Sequence, residues 1–273
     1  MKRRPTLAVL MLLGILAPMA AQAAVNPVLT DTHTLNVGVY DQSSDITVSS
    51  TRDGDQKQDI DLERLGLDDE YLAFTASYRW RINDRWSVEL AWFTFESDSS
   101  SVIEDTFTFD GQEFRVGANL DLTFSVDSFL LDAFYSVYKS DNAELRLGAG
   151  LHSFDFDLEF KASAGVDDVG VSGSFADEDL LAPLPNLRID GLYAFSDRWS
   201  IYAGAGWLSA NYGDYEGRYL FTNVKVAYRI IDGLSLALGY QIVDTDVTYS
   251  GSRREIDVET DYHGPTAYLS YSF

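Results

Sequence analysis

Cysteine is absent from the 273-residue sequence. Its absence excludes disulfide scaffolds, thiolate metal sites, thiol nucleophiles and the acylated cysteine of a lipoprotein. Histidine and methionine are scarce, with three residues of each. Long hydrophobic runs are confined to the N-terminus, so no later segment is predicted to cross a membrane as a helix.

Basic residues are also few. The chain has 20 Lys and Arg against 43 Asp and Glu, which gives a formal net charge of −23. A nucleic-acid-binding protein neutralises phosphates with a basic surface, and no basic run occurs after residue 4, so the composition argues against nucleic acid as a partner. Hydrophobic residues nevertheless make up 46% and aromatic residues 14% of the chain. A chain this apolar is predicted to fold rather than to be disordered.

The N-terminus has the three parts of a secretory signal peptide. Basic residues at positions 2–4 precede an apolar run over residues 7–20, and Ala21-Gln22-Ala23 follows. The run is shorter than the about 20 apolar residues that a membrane-spanning helix needs, and small residues at its end fit a cleavage site. The sequence therefore predicts a cleavable signal helix over residues 1–23 and an exported mature chain.

From residue 32 onward, apolar and polar residues alternate in segments of about ten. Between residues 71 and 82, for example, Leu72 and Phe74 share one face while Ser77 and Arg79 share the other. Successive side chains of a strand point to opposite sides, so each segment is predicted to be a strand with one apolar and one polar face.

Short turns and long connections alternate between these segments. We predict turns at residues 82–85, 139–143, 196–198 and 231–233, and long loops near 41–70, 97–126, 157–183, 209–218 and 244–262. A soluble sandwich has short connections at both ends, whereas short turns at one rim and long loops at the other are typical of a transmembrane β-barrel.

The alternation predicts an all-β, antiparallel, up-and-down barrel spanning residues 24–273. The predicted strands are ten, at residues 32–40, 71–82, 86–96, 127–138, 144–156, 184–195, 199–208, 219–230, 234–243 and 263–273. An even number places both termini on the periplasmic side. Eight or twelve strands remain alternatives.

The strand count depends on residues 97–126. A hairpin with an Asp110-Gly111 turn is predicted there, and we expect it to be the tip of the third and fourth strands above the membrane. A separate membrane hairpin would instead give twelve strands. The apolar phase also changes between Val126 and Phe129, which predicts a β-bulge near Asp127-Ser128.

The end of the chain carries a family resemblance. Leu269, Tyr271 and Phe273 alternate up to the C-terminus, as in the signal by which outer-membrane barrels are recognised for assembly. With the signal peptide and strand pattern, the chain resembles the small outer-membrane β-barrel proteins of Gram-negative bacteria, the OmpA-barrel-like and OmpW-like group. The resemblance implies the barrel-assembly machinery as a partner during biogenesis. It also implies an integral location among outer-membrane lipids and lipopolysaccharide.

Two sets of residues follow from the barrel prediction. Aromatic residues on the apolar faces are predicted to form girdles at the membrane interfaces: Trp80, Trp86, Trp92, Trp199, Trp207 and Tyr240. Charged residues on the polar faces are predicted to share the lumen: Arg79, Arg81, Glu89, Asp132, Glu144, Arg146, Arg188, Asp190, Lys225 and Arg229. Ten strands enclose little space, so a salt-bridged plug is favoured and a slim, weakly anion-favouring channel is the alternative.

Candidates for catalysis are weak. His152 and Ser153 are adjacent in a strand and therefore point to opposite faces. Asp261-Tyr262-His263 has the D-x-H spacing of the omptin proteases, which also need a second aspartate pair. Asp155-Phe156-Asp157 offers one, but its placement departs from the family pattern. His33, at the start of the first strand, is predicted to be a solvated rim residue, and we predict no enzyme and no catalytic residue.

No cofactor or specific metal site is predicted. Asp53-Gly54-Asp55 and Asp59-Ile60-Asp61 supply closely spaced carboxylates that suit a hard cation, although they do not match the spacing of an EF-hand. Diffuse, weak binding of divalent cations by the acidic loops is the expectation.

The negative charge is concentrated in the predicted loops, which hold 31 of the 43 acidic residues and only 8 basic ones. Acidic loops beside lipopolysaccharide phosphates are expected to need divalent cations. We predict a non-enzymatic outer-membrane barrel with a structural or small-solute pore-like role. The alternative is an adhesin or ligand-binding barrel that acts through its acidic loops, and an outer-membrane hydrolase is a remote third.

Overall fold

A computed structural model describes residues 26–52, 57–68, 70–109, 112–163, 171–176, 184–252 and 254–273. The predicted signal peptide and the Asp53-Gly54-Asp55 cluster lie outside these residues. The described strands are β1 (His33–Arg52), β2 (Gln58–Asp61), β3 (Glu70–Arg81), β4 (Trp86–Val102), β5 (Phe107–Phe109), β6 (Gln112–Phe114), β7 (Asn119–Lys139), β8 (Ala143–Ser163), β9 (Val171–Ala176), β10 (Leu184–Ala194), β11 (Trp199–Tyr212), β12 (Tyr215–Ile231), β13 (Leu234–Ser250) and β14 (Arg254–Ser272).

In the part of the chain that the structure describes, helical structure is limited to two single turns of 3-10 helix, at Pro27–Leu29 and Glu63–Leu65. Within the described residues, no helix has the length and apolar character needed to cross a membrane.

Ten of the described strands form a closed antiparallel ring. The order around it is β1, β3, β4, β7, β8, β10, β11, β12, β13 and β14. β14 pairs with β1, and β8 pairs with β10, so the first and last strands meet. Closure leaves the ring without an unpaired edge, and the predicted antiparallel barrel is confirmed.

Eight of the ten ring strands are longer than the alternation alone predicted, whereas β3 and β10 agree with their predicted lengths within one residue. β7 and β8 have 21 residues each and pair from Asn119↔Ser163 to Lys139↔Glu144. Most residues of the predicted long loops are therefore strand. We call the end of the ring with the connections at 82–85, 140–142, 195–198 and 232–233 the turn end, and the opposite end the loop end. The predicted long loop at 209–218 is wrong, because only residues 213–214 connect β11 and β12 at the loop end.

Two short strands complete the loop end, where neighbouring ring strands stop. β2 pairs with residues 47–50 of β1, beyond the start of β3. β9 pairs with residues 157–162 of β8, beyond the start of β10. These strands supply backbone hydrogen bonds that the upper parts of β1 and β8 would otherwise lack.

The apolar residues change faces along the strands while the backbone keeps its register. On β7, Phe124 and Val126 are 1% and 2% exposed and point inward, whereas Phe129 and Leu131 are 47% and 51% exposed and point outward. The predicted bulge near Asp127-Ser128 is wrong, because pairing with β4 runs without a shift through both residues. The register shift of β7 lies between Ser136 and Tyr138 instead.

This inversion divides the barrel into two zones. At the turn end the outer face is apolar and the inside is polar, as a lipid-facing barrel requires. At the loop end the inside is an apolar core, which we call the loop-end core: Ile46, Val48, Phe95, Leu120, Leu122, Phe124, Val126, Leu158, Phe160, Val247, Ile256 and Val258, with further members from β2, β5 and β6. The change of phase therefore marks a change of surroundings.

The predicted hairpin around residues 106–116 forms, but it does not extend the third and fourth strands as expected. β4 and β7 stop pairing at Val102↔Asn119. β5 and β6 then form a separate two-stranded sheet. The described residues of this sheet that are nearest to its turn are Phe109 and Gln112. Its aromatic rings bury themselves in the loop-end core: Phe107, Phe109 and Phe114 lie 4.8–5.9 Å, centroid to centroid, from Phe160. The predicted turn tip, Asp110-Gly111, lies outside the described residues.

The two-zone arrangement predicts different responses from neighbouring residues of β7. Phe124→Ala leaves a cavity in the loop-end core and should destabilise this end by about 3 kcal/mol. Ser125→Ala, on the outer face of the same strand, should change stability by less than about 0.5 kcal/mol. Limited proteolysis of the refolded protein across a urea series measures both. Equal effects of the two substitutions would contradict the assigned faces.

Candidate functional site in the lumen

The lumen at the turn end contains an interconnected set of ion pairs. Arg81, at the end of β3, donates two hydrogen bonds to Glu144 of β8, at 2.7 and 2.8 Å. Glu144 also accepts a hydrogen bond from the Ser136 hydroxyl. Both charged side chains are buried, at 4% and 2% exposure. This bidentate geometry is the strongest form of the guanidinium–carboxylate pair.

A second group of pairs lies farther along the lumen. Arg146 contacts Asp190 at 2.9 Å, and Arg188 contacts Asp132 at 2.8 Å. Glu89 lies between the two guanidinium groups, at 3.8 Å from Arg146 and 4.0 Å from Arg188. These residues come from β4, β7, β8 and β10, so the network connects four consecutive strands of the ring.

Two glycines of β8 leave room for the side chains of this network. Gly148 and Gly150 of β8 pair with Phe134 and Asp132 of β7. A Cβ atom at Gly150 would lie 2.2 Å from the Asp132 carboxylate, and one at Gly148 would lie 2.5 Å from the Phe134 ring. Arg146 lies over that same ring at 4.5 Å. Sequence reasoning missed Phe134 and both glycines, although the inward run Asp132, Phe134, Ser136 was available as a signal.

Two lumen cations differ from the others. Arg79 lies directly opposite Glu89 in the strand register, yet its guanidinium donates to Thr34 Oγ1 at 2.7 Å and to the Val28 carbonyl at 3.3 Å. Lys225 Nζ lies 4.7 Å from the ring centroid of Tyr202 and 4.5 Å from that of Tyr268. Neither cation has a carboxylate within 4.0 Å among the described residues.

Arg229, the tenth residue of the predicted set, lies at the turn end. Its guanidinium is 3.6 Å from Asp197 and 3.7 Å from Asp232, both in the short turns. The structure therefore brings nine of the predicted residues into the lumen interior and places Arg229 at its rim.

Two cavities lie in series inside the ring. One, of about 110 Å³, is next to the loop-end core and is lined by aromatic rings with His152 and Asn186 among them. The other, of about 120 Å³, is at the turn end and is lined by Arg79 and Arg229. One layer of side chains lines both: Ser77, Glu89, Tyr202, Lys225 and Tyr268. The two cavities therefore meet at this layer.

The turn end carries a strap, which we define as residues 26–32. Its Asn26 amide donates to the Ser196 carbonyl at 3.0 Å, and its Thr32 carbonyl accepts from Arg81 at 2.7 Å. Ser196 is in the β10–β11 turn, on the opposite side of the ring from β1. The strap therefore crosses the mouth of the barrel at the turn end, with Leu29 fully buried.

The structure does not bring the candidate catalytic residues together. His152 points inward and its Nε2 is 2.7 Å from the Ser128 hydroxyl of β7, while Tyr219 packs edge-on against its ring. Ser153, its neighbour, is on the other face of β8. His33 contacts the Tyr78 hydroxyl at 2.8 Å at the rim.

The nominal omptin-like quartet is also dispersed. Asp261 and His263 are exposed on the outer face of β14, where His263 contacts the Tyr240 hydroxyl at 2.9 Å. Asp155 and Asp157 are exposed on the outer face of β8. β8 and β14 are separated by four strands on one side of the ring and four on the other, so the two pairs do not share a site.

The remaining predicted residues lie on the outer face. The girdle residues Trp80, Trp86, Trp92, Trp199, Trp207 and Tyr240 are all exposed, as are Leu269, Tyr271 and Phe273 near the C-terminus. Trp80, Trp86 and Trp199 are at the turn end. Trp92, farther along β4, donates from its indole nitrogen to Asp127 at 3.2 Å, so it marks the level at which the apolar face gives way to a polar one.

Beyond that level, acidic residues line up across strands on the outer face. Asp45 of β1 pairs with Asp261 of β14, which pairs with Asp244 of β13. Partial burial, with the neighbouring carboxylates of Asp244 and Asp45, raises the pKa of Asp261. Arg218 lies 3.5 Å from Asp244. Among the described residues, which include Asp59-Ile60-Asp61, no group of three potential ligands is arranged to hold a metal ion.

No protein-family model and no curated protein matches the sequence. Solved structures do resemble the fold. The outer membrane protease OmpT from Escherichia coli aligns with a TM-score of 0.54 at 12% identity, over 88% of this chain and 96% of its own. The translocator domain of autotransporter NalP from Neisseria meningitidis gives 0.46 at 11% identity over 89% of each chain. The Pseudomonas putida toluene transporter TodX gives 0.38 at 9% identity over 92% of each chain.

The chain has the fold of an outer-membrane β-barrel. The OmpT alignment carries this conclusion, because it covers nearly the whole of both chains. A structural likeness at such low sequence identity shows the fold alone. The function of the lumen in this outer-membrane β-barrel depends on the residues of the lumen and not on the fold.

The buried pair between Arg81 and Glu144 predicts a large effect of removing one partner. Glu144→Gln leaves a buried guanidinium without a counter-charge and should reduce the free energy of unfolding by about 3 kcal/mol. Urea unfolding of the refolded protein, followed by tryptophan fluorescence, measures the change.

Two further variants control this experiment. Glu113→Gln removes an exposed ion pair with Arg115 and should cost less than about 1 kcal/mol. Replacing both buried partners, as Arg81→Met with Glu144→Leu, should recover most of the loss, because no uncompensated charge remains. If Glu144→Gln costs no more than Glu113→Gln, the buried pair does not stabilise the lumen.

Proposed function

We propose that the chain is an integral outer-membrane β-barrel with a closed lumen, and that its role in the envelope is structural and non-enzymatic. In this proposal the turn end, with both termini, faces the periplasm and the loop end faces outward. Outer-membrane lipids surround the apolar band, and Leu269, Tyr271 and Phe273 present the assembly machinery with its recognition segment.

The lumen ion network carries the proposal. Arg81 with Glu144, and Arg146 and Arg188 with Asp190, Asp132 and Glu89, connect five consecutive strands of the ring, from β3 to β10. Charges that line a water-filled pore face solvent, whereas the hydrogen-bonded arginine and carboxylate side chains here are at most 8% exposed. A ten-stranded ring has an interior close to the size that side chains fill.

The loop-end core supports closure from the other side. Its aromatic and aliphatic side chains fill the inside of the barrel beyond the cavity that contains His152, and the β5–β6 hairpin adds three more phenylalanine rings. A solute would therefore have to displace both an apolar plug and an ion network. This arrangement supports a structural role over the small-solute pore.

Planar-bilayer conductance of the purified, refolded protein tests the proposal. We expect no conductance steps over a range of voltages and salts. Replacing residues 104–117 by a short glycine–serine link removes the hairpin, and we expect that variant to be silent as well, because the rings of Tyr202 and Tyr268 still lie where the two cavities meet. Adding Tyr202→Ala and Tyr268→Ala, which removes the rings between the cavities, should produce steps. Conductance by the unmodified protein or by the deletion alone would support a pore and contradict closure.

A second candidate, a surface role at the lipopolysaccharide layer, is favoured by the outward acidic rows. Asp45, Asp261 and Asp244 lie side by side on adjacent strands, where like charges directly opposite each other repel. Divalent cations that bridge these carboxylates to lipopolysaccharide phosphates would relieve the repulsion. Such a surface would act in adhesion or ligand capture through its acidic loop end.

Chelation tests this role. In lipopolysaccharide-containing membranes, EDTA should lower the thermal stability and increase protease sensitivity of the loop end. The double variant Asp45→Asn with Asp244→Asn, which leaves Asp261 without its two acidic neighbours, should respond less. Bilayers of phosphatidylcholine alone are the control and should show no response. An EDTA response that is the same for the variant and the unmodified protein would contradict a role for these rows.

A further inference from the structure

The cavity at the turn end has an unusual balance of charge. Its walls include five cationic residues, Arg79, Arg146, Arg198, Lys225 and Arg229, and two acidic ones, Asp31 and Glu89. Arg146 is already neutralised by Asp190 and Glu89, and Arg229 lies near two turn aspartates. The remaining excess of positive charge faces a space of about 120 Å³.

Arg79, Lys225 and Arg198 account for that excess, and of these Arg198 is exposed at the turn. Arg79 is 8% exposed, and its hydrogen bonds go to a hydroxyl and a carbonyl oxygen, both uncharged. Its Nε makes no hydrogen bond within the described chain. Lys225 contacts two aromatic faces. Cations removed from solvent are normally paired with an anion, and the described residues provide none for either within 4.0 Å.

The strap supplies the third element. Asp31 lies in the cavity wall, in the segment that crosses the mouth. Burial raises the pKa of this carboxyl, and the charges of Arg79 and Arg229 lower it. Among the described residues it forms no ion pair with Arg79 or Lys225, so it lowers the positive potential of the cavity without neutralising either cation.

We propose that the turn-end cavity is a binding site for a small free oxyanion, such as inorganic phosphate or a short carboxylate, held by Arg79 and Lys225 beneath the strap. The planar guanidinium group matches the geometry of oxyanion oxygens, and the ammonium adds a point charge. Asp31 competes with the bound anion. The source of the anion, the periplasm, rests on the proposed orientation, whereas binding itself does not depend on it.

Calorimetric titration of the refolded protein in a non-ionic detergent tests the site. Sodium phosphate is injected at pH 7.5, with sodium chloride of equal ionic strength as the reference. We expect saturable binding of one phosphate per chain. Lys225→Gln should weaken it at least about tenfold, which corresponds to about 1.4 kcal/mol. Lys161→Gln, which removes an exposed lysine at the loop end, should leave it unchanged.

A second variant keeps the test decisive if Lys225→Gln fails to fold. Asp31→Asn removes the competing carboxylate from a segment outside the ring and should tighten phosphate binding about threefold or more. Heat-modifiable migration on gels confirms that each variant is folded. No saturable binding below about 10 mM phosphate, or equal affinities in the Asp31→Asn variant and the unmodified protein, would overturn the proposal.

A final arm distinguishes free anion from lipid headgroup. The titration is repeated in bilayer discs that contain phosphatidylglycerol and in discs of phosphatidylcholine alone. Equal phosphate affinity in the two supports a site for a free anion. Loss of phosphate binding in the phosphatidylglycerol discs would assign the cations to a headgroup and contradict the proposal. None of these measurements involves conductance, so a pore-forming barrel and a barrel without an anion site give separate results.

Discussion

The structure depends on one constraint: an unbroken hydrogen-bonded ring has to pass through two different surroundings. The register of β7 with β4 and β8 is continuous where the apolar side chains move from the outer to the inner face. Hydrogen bonding in the ring fixes the backbone, so only the choice of side chain is left to match lipid at one height and water at another. Phe124 and Phe129 are five residues apart, lie on opposite faces, and are each suited to their level.

The two zones close the barrel by different means. At the loop end, hydrophobic burial inside the ring stabilises strands whose outer face is acidic and solvated. At the turn end, where apolar residues are on the outside, the interior is held by Arg81 with Glu144 and by the pairs around Glu89. Buried ion pairs contribute less net stability than their geometry suggests, because desolvation offsets the attraction. They do connect the consecutive strands from β3 to β10 beyond their backbone pairing.

The sequence was sufficient for the features that depend on local alternation. The alternation of Leu72 and Phe74 on one face with Ser77 and Arg79 on the other predicted both the strand and its faces. Contacts between non-neighbouring strands could not be predicted from the sequence, because Arg81 and Glu144 are 63 positions apart and their strands are not neighbours. The prediction of a bulge near Asp127-Ser128 is wrong because it assigned the change of apolar phase to an extra residue. A change of apolar phase has two physical causes, an extra residue or a new solvent, and alternation alone does not separate them.

The strap has a consequence for how the chain is extended at its N-terminus. β1 begins on one side of the ring, but Asn26 is fixed to Ser196 on the other side. Asn26 therefore lies beneath the β10–β11 turn, on the opposite side of the ring from the strand it precedes. An affinity tag or a fused domain placed there would lie at the far rim. A pulling force applied to it would act on the strap before it acted on the sheet.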